Sequence, residues 1–291
     1  MSSFCIKTNN ELFIDYFIKN SKDYLFPSDF IVRKKKFKIY TNIFIHYKSN
    51  DVKRLHVILA SFLTKCILKI YENELIEKIY LSNYFYFLDD EQKEIFKNIN
   101  NIISSSNEKN RFDLIYFKVL EYLADSKNKF MILDGFIRFR LKDYIDILEY
   151  TIDISVNNYL VEKEYLKFIN LLKEYVFSEE SKTSIIHILY LNNISTLFDE
   201  NFSLIENEII EDESFSYLSN YNLTNNDYTL NTLLTLLPEK IVLHVPKAKD
   251  NLNLDNDDFI KTLNLIFDNK ILICNNCEVC KFYLKNSFIK I

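Results

Sequence analysis

Hydrophobic residues recur every three or four positions along one long segment, which begins at Gly135 and ends at Val176. This spacing places the hydrophobic side chains on one side of a helix, because an α-helix has about 3.6 residues per turn. The first row consists of Ile137, Leu141, Ile145, Leu148, Ile152, Val156 and Leu160. After the polar residues 162–164, the row resumes at Tyr165, Phe168, Ile169, Leu172 and Val176.

We therefore predict one long helix, or two helices with a weak joint, as the central packing element, and we expect a kink near Glu162. All of the residues Leu141, Leu148, Ile152, Phe168 and Leu172 are expected to be buried. Gly135 is the only glycine of the chain. We expect it just before the helix, with the positive φ that is cheap for glycine, and with Asp134 beside it as a cap.

Shorter patterns flank this segment. Phe37 and Ile39, then Ile43 and Ile45, alternate with polar residues and predict two strands joined by a turn near Asn42. Helical patterns cover residues 51–72, 74–87, 90–103 and 111–125. Strands are predicted at residues 184–189 and within 195–205, followed by a helix at 227–237 that ends at Pro238.

The end of the chain alternates between strand and helix patterns. A strand is predicted at residues 240–245, a helix at 259–267 with Asp255, Asp257 and Asp258 at its N-terminal end, and a strand at 271–273. Two strands with an intervening helix predict a βαβ unit in which the strands are parallel. The predicted fold class is α+β: a long central helix packed with a small N-terminal β-containing region and a C-terminal βαβ unit.

Four stretches carry a resemblance to a known family: GFIRFRLKDY at 135–144, YLVEKEYLKFINLLKEYV at 159–176, TLNTLLTLLPEKIVLH at 229–244 and CNNCEVC at 274–280. In this order and spacing they resemble the YtxC-like family of sporulation proteins from endospore-forming bacteria. The resemblance implies a role in sporulation and no particular activity. A soft domain boundary is predicted between the linker candidate at residues 104–107 and Asn128. It divides the chain into an N-terminal α+β region, residues 1–128, and a YtxC-like region, residues 129–291.

Composition narrows the class of protein. A hydrophobic content of 48% and an aromatic content of 15% are typical of a folded globular protein. The net charge of −5 disfavours a general nucleic-acid binder. The sequence shows neither a signal-peptide pattern nor an apolar run long enough for a membrane span. Five cysteines in such a chain predict reduced thiols and a cytoplasmic location.

Cys274, Cys277 and Cys280 form a C-x-x-C-x-x-C pattern. Thiolates at this spacing can converge on one soft cation, but a closed zinc site needs a fourth ligand. The predicted parallel strands end at one sheet edge, about 4.8 Å apart, which makes His244 the candidate fourth ligand and zinc the candidate metal. The alternatives are a redox-active cysteine pair, structural thiols, or an iron–sulfur cluster, for which the surrounding chain lacks a cofactor-binding pattern.

Two groups of charged side chains are weaker candidates for binding sites. A surface for a protein partner is predicted from residues that flank or interrupt the hydrophobic row: Arg138, Arg140, Asp143, Glu162 and Glu164. The alternative is that they form the solvated side of an amphipathic helix. The basic residues 33–38 predict a solvated turn or a protected edge strand, with phosphate contact as the alternative.

No pattern of a catalytic site is recognisable. His46, His56 and His187 have no nucleophile or carboxylate at a motif spacing, so a hydrolytic triad has no support. The sequence therefore favours a non-enzymatic, sporulation-associated accessory or interaction protein, a function implied by the resemblance. The alternatives are a metalloprotein with a functional zinc site at its C-terminal end, and a nucleic-acid-binding factor, which the acidity disfavours.

Overall fold

A computed structural model describes residues 2–25, 30–47, 52–105, 108–205, 224–245, 257–275, 277–278 and 280–282. The chain forms two compact units, Met1–Val161 and Glu162–Ile291. Each unit combines helices with a mixed sheet, so the predicted α+β class is confirmed. The predicted division between residues 128 and 129 stays a prediction. Within the described residues, no helix combines the length and apolar composition that a membrane span requires.

The first unit contains a four-stranded sheet with the strand order β2-β3-β1-β4. Its strands are β1 (Ser2–Thr8), β2 (Phe30–Lys36), β3 (Thr41–Tyr47) and β4 (Phe130–Ile132). Strand β3 is antiparallel to both β1 and β2, whereas β4 is parallel to β1. Alternation along β1 and β3 buries Ile6, Ile43 and Ile45 completely on one face.

The predicted turn near Asn42 is wrong. Asn42 lies inside β3, opposite Lys7 and Lys35, and the chain turns earlier, where the Phe37 amide donates to the Tyr40 carbonyl at 2.9 Å. The alternation of Phe37 with Ile39 therefore belongs to an exposed turn. The basic residues that precede the turn lie on β2, an edge strand, with their side chains exposed. This confirms the prediction of a charged edge strand.

Helices make up the rest of the first unit: α1 (Glu11–Tyr24), α2 (Val52–Asn83), α3 (Asp89–Ser105), α4 (Glu108–Ala124), α5 (Leu133–Arg140) and the start of α6 (Lys142–Ser178). Two predicted helices are fused in α2, which has 32 residues. The hydrophobic segment forms two helices, and Leu141 is the joint, with φ −100° and ψ 35°. The expected break near Glu162 is wrong, because this residue lies inside α6. The longer of the two, α6, has 37 residues and is about 55 Å long.

Two expectations about the start of this segment are wrong. Gly135 lies within α5 and has no positive φ. Ile132 is the N-cap of α5, and its side chain makes no capping hydrogen bond. Asp134 lies in the first turn and accepts a 3.1 Å hydrogen bond from the Tyr71 hydroxyl, so its carboxylate joins α5 to α2.

The predicted burial along α6 holds for its first half. Leu141, Leu148 and Ile152 are buried at 1%, 0% and 0% exposure. Phe168 is 57% exposed, and Leu172 is only partly buried. In the second half, the buried positions are Ile169 and Val176, which pack in the core of the second unit. In the second half of α6, therefore, only part of the hydrophobic side of the helix is buried by the core of the second unit.

The second unit contains a five-stranded sheet with the order β7-β6-β5-β8-β9. Its strands are β5 (Thr183–Leu191), β6 (Ile194–Phe198), β7 (Leu204–Ile205), β8 (Pro238–His244) and β9 (Ile271–Ile273). Helix α7 (Asn225–Leu236) precedes β8, and α8 (Asp258–Phe267) lies between β8 and β9. Strands β8 and β9 are parallel, which confirms the predicted βαβ unit.

The two faces of this sheet differ in character. Alternation on β5 and β8 buries Ile186, Ile188, Ile241 and Leu243 in one core, together with α8 residues such as Phe267. The same alternation directs His187, Leu189 and His244 to the opposite face. That face carries the imidazoles of the second unit, at the end of the sheet where β8 and β9 stop.

Candidate metal centre

The βαβ unit brings His244 and Cys274 to one sheet edge. His244 is the last residue of β8, and Cys274 directly follows β9. Leu243 pairs with Ile273, and the Cys274 amide donates to the Leu243 carbonyl at 2.9 Å, which extends the parallel ladder by one step. This register places both residues at the same end of the sheet.

A turn after β9 brings the other two sulfurs back to the same point. The Cys277 amide lies 3.4 Å from the Cys274 Sγ and donates a hydrogen bond to it. The Lys281 amide then donates to the Cys277 carbonyl at 3.1 Å, a helical hydrogen bond. Cys280 lies within this turn and is completely buried, whereas Cys274 and Cys277 are half-buried.

Four of the six distances between the ligand atoms match those of a tetrahedral site. The Cys280 Sγ lies 3.8 Å from the Sγ atoms of both Cys274 and Cys277. The His244 Nδ1 lies 3.5 Å from the Cys277 Sγ and 3.4 Å from the Cys280 Sγ. Zinc bonds of about 2.3 Å to sulfur and about 2.0–2.1 Å to nitrogen give edges of about 3.8 Å and 3.6 Å in a regular tetrahedron.

All four predicted ligands are therefore brought together, with every pair of ligand atoms within 4.8 Å, and the group could hold a metal ion. Three sulfurs and one imidazole nitrogen form a donor set that suits zinc. With four protein ligands, a tetrahedral ion would have no open position for a substrate.

Without a bound cation, the pKa values of Cys280 and His244 are both shifted in the direction that favours their neutral forms. Burial raises the pKa of Cys280 to about 12, and hydrogen bonds with the thiols of Cys274 and Cys277 add to the rise. A metal ion reverses this effect, because coordination stabilises the thiolate. Burial also lowers the pKa of His244, and the neighbouring His187 adds to the shift. A lowered pKa keeps the imidazole neutral near pH 7, which is the form that binds metals.

His187 is a residue of this site that the sequence did not reveal. Its Nδ1 lies 3.0 Å from the Nε2 of His244, on the side of that ring opposite the sulfurs. On the parallel strands, His187 pairs with Val242 and Leu189 pairs with His244, so the two imidazoles are diagonal neighbours on one face. To predict this contact, one would need both the alternation of side chains along the strands and the register between β5 and β8. That register is known only from the folded sheet.

The residues of the predicted partner surface are all exposed, and they lie in different units. Arg138 and Arg140 lie on α5 and Asp143 in the first turn of α6, whereas Glu162 and Glu164 belong to the second unit. The Arg140 guanidinium lies 5.7 Å from the Tyr122 ring centroid, and the Asp143 carboxylate lies 3.6 Å from the Lys118 Nζ. A partner at this surface stays a prediction.

Comparisons with known proteins identify a family. The sequence model of the YtxC-like family matches residues 57–272, about three quarters of the chain. The chain is 22% identical over 214 residues to the "Uncharacterized protein YtxC" of Bacillus subtilis (strain 168), and the alignment covers 69% of this chain and 73% of the relative. The family match includes His187 and His244 and ends before the three cysteines. No solved structure matches the chain.

Proposed function

The chain belongs to the YtxC-like family, and we propose that it is a sporulation-associated accessory protein whose C-terminal βαβ unit is stabilised by a bound zinc ion. Cys274, Cys277, Cys280 and His244 are the proposed ligands. Zinc would connect the ends of β8 and β9 to the turn that follows them. The sporulation role rests on the family resemblance, and the zinc site rests on the geometry of these four side chains.

The observation that carries the zinc proposal is the agreement of four distances between ligand atoms with those of a tetrahedral S₃N site. Sulfur–sulfur distances of 3.8 Å and sulfur–nitrogen distances of 3.4 Å and 3.5 Å fit a single central ion. A redox-active pair needs only two neighbouring sulfurs, and it would leave the convergence of the third sulfur and the imidazole without a role. The donor set therefore favours metal over redox chemistry.

The ligand count supports an accessory role. A tetrahedral site that is filled by four protein ligands has the form of a structural zinc site, because catalytic sites keep one position for water or substrate. The proposed ion would contribute to folding, since a ligand that binds the folded chain more tightly than the unfolded one stabilises it.

The zinc proposal is tested on the full-length chain purified under reducing conditions. Elemental analysis and titration with zinc are expected to give about one zinc ion per chain. Cys277→Ser and His244→Ala are expected to lose most of this binding, whereas Cys5→Ser, a change in the first unit, is the matched control and should retain it. A wild-type chain that binds no zinc would disprove the proposal.

The sporulation role is tested separately in a spore-forming host that carries the gene. Deletion is expected to lower the number of heat-resistant spores, and the wild-type gene should restore it. Complementation with the Cys277→Ser variant then shows whether the cysteine cluster matters for that role. Normal sporulation of the deletion strain would remove the role and leave the zinc site as an independent result.

A further inference from the structure

We infer that His187 is a positioning residue for this metal site: it accepts a hydrogen bond from the Nε2–H of His244 and so fixes the tautomer and the ring orientation of that ligand. The inference rests on the proposed zinc site. It assigns His187 a role at the site without making it a ligand, because its Nδ1 faces the far side of the His244 ring.

The two nitrogen atoms of His244 face different partners. Nδ1 lies 3.4 Å and 3.5 Å from two sulfurs, and Nε2 lies 3.0 Å from the Nδ1 of His187. An imidazole that binds a metal through Nδ1 carries its proton on Nε2. That proton needs an acceptor, because His244 is only 3% exposed and an unsatisfied buried donor is costly. The unprotonated Nδ1 of His187 supplies the acceptor.

The orientation of His187 is itself constrained. Its ring stacks on the ring of Phe202, with the centroids 4.2 Å apart and the planes at 24°. Strand β5 holds its backbone between β6 and β8. The acceptor nitrogen is therefore fixed by a sheet strand on one side and by an aromatic face on the other.

Phe202 is held over His187 by a tight turn between β6 and β7. The Phe202 amide donates to the Asp199 carbonyl at 3.0 Å, and the Asp199 carboxylate accepts hydrogen bonds from the amides of Asn201 and Ser203 at 2.9 Å and 2.7 Å. Phe202 has a φ of 60°, a left-handed conformation that is costly for a bulky residue. The turn thus holds Phe202 in a strained backbone conformation, and Phe202 stacks on His187, which accepts the hydrogen bond from His244.

Two variants of nearly equal shape separate hydrogen bonding from packing. In His187→Asn, an amide oxygen can take the position of Nδ1 and accept the same hydrogen bond, whereas His187→Leu has a methyl group there. Loss of the outer hydrogen bond of a metal-binding histidine typically weakens metal binding about 10–100-fold. We expect His187→Leu to raise the dissociation constant for zinc by about 10–100-fold, and His187→Asn to retain most of the wild-type affinity.

The dissociation constants are measured on the full-length chain by competition between zinc and a chromogenic chelator. The absorption spectrum of the Co²⁺-loaded chain gives a second readout, because it reports the geometry of the bound ion. We expect this spectrum to be altered in His187→Leu and preserved in His187→Asn. Circular dichroism checks the fold of each variant, and His187→Ala replaces His187→Leu if the latter does not fold.

The outcomes distinguish a failure of the proposed zinc site from a failure of the proposed role of His187. If the wild-type chain binds no zinc, the zinc site itself is wrong. If the wild-type chain binds zinc and His187→Leu binds it equally well, the site stands and the positioning role of His187 is wrong. Equal weakening in the Asn and Leu variants would show that the His187 side chain acts through packing, and this too would overturn the inference.

Discussion

The Tyr144 hydroxyl on α6 donates a 2.7 Å hydrogen bond to the carboxylate of Glu72 on α2. The Arg111 Nε on α4 reaches the same oxygen at 3.1 Å, and another nitrogen of that guanidinium donates to the Ile103 carbonyl at 2.9 Å. Arg111 and Tyr144 are 8% and 1% exposed. One carboxylate therefore joins three helices of the first unit in a buried network.

Arg111→Met is expected to destabilise the first unit by about 3–5 kcal/mol, because it leaves the Glu72 carboxylate without its buried cation. Tyr144→Phe should cost less, about 1–3 kcal/mol, since Arg111 still pairs with the acceptor. Urea unfolding measures both changes. The control is Lys93→Met, which breaks an exposed 2.8 Å ion pair with Asp90 and should have little effect. If Arg111→Met costs no more than this control, the network does not stabilise the unit.

Replacing a large hydrophobic side chain by alanine should lower the stability of the protein at Leu148, in the first half of α6, but not at Phe168, in the second half. Leu148 is fully buried, so Leu148→Ala is expected to cost about 2–5 kcal/mol through lost burial and a cavity. Phe168 is 57% exposed, and Phe168→Ala should stay within about 0.5 kcal/mol. Unfolding in urea at equal chain concentrations compares the two variants. A large loss of stability from Phe168→Ala would show that its side chain is covered in solution.

Zinc binding should release protons and weaken in acid. The pKa of Cys280 is raised to about 12, so this thiol is protonated at pH 7 and must lose its proton to bind the ion. Protons compete more strongly as the pH falls, so affinity should decrease from pH 8 to pH 6. The lowered pKa of His244 means that this ligand contributes no proton at pH 7.

Calorimetric titration in buffers of different ionisation enthalpy measures the number of protons released. Cys277→Ser should release fewer protons than the wild-type chain, whereas Cys5→Ser should release the same number. An affinity that does not change between pH 6 and pH 8 would contradict binding through thiolates.

The lysines of β2 should keep the first sheet from pairing with other chains. Lys34 and Lys36 are exposed on this edge strand, where charged side chains disfavour pairing with another strand. Replacing both by valine is expected to cause concentration-dependent association in sedimentation velocity. The same replacement of Lys93 and Lys97 on α3, which are also exposed, is the control and should leave the sedimentation unchanged.

Much of the fold follows from local pattern. Helix α8 was predicted from its hydrophobic positions and from Asp255, Asp257 and Asp258. Among these, the Asp257 side chain accepts a capping hydrogen bond from the Ile260 amide at 3.1 Å. The exposure of Phe168 was not predictable in the same way. Periodicity shows which residues share a side of a helix, but only tertiary packing decides how much of that side is covered.

The candidate site shows the same limit. His244 and the cysteines were grouped from sequence because β8 and β9 belong to one βαβ unit, whose parallel strands end at a common edge. His187 lies on β5, which is far from β8 along the chain and pairs with it only in the folded sheet. Its contact with His244 depends on a register that no local motif encodes.

The parallel pairing of β4 with β1 has a consequence for the order of events during synthesis. Cys5, Ile6 and Lys7 pair with Phe130, Met131 and Ile132, so β1 is translated well before β4, its partner at this edge, which follows α4 along the chain. Until then, the nascent chain presents the open edge of β1, which is a template for pairing with other polypeptides. A chaperone that shields this edge would act before residue 130 emerges, and premature termination upstream of it would leave the edge permanently open.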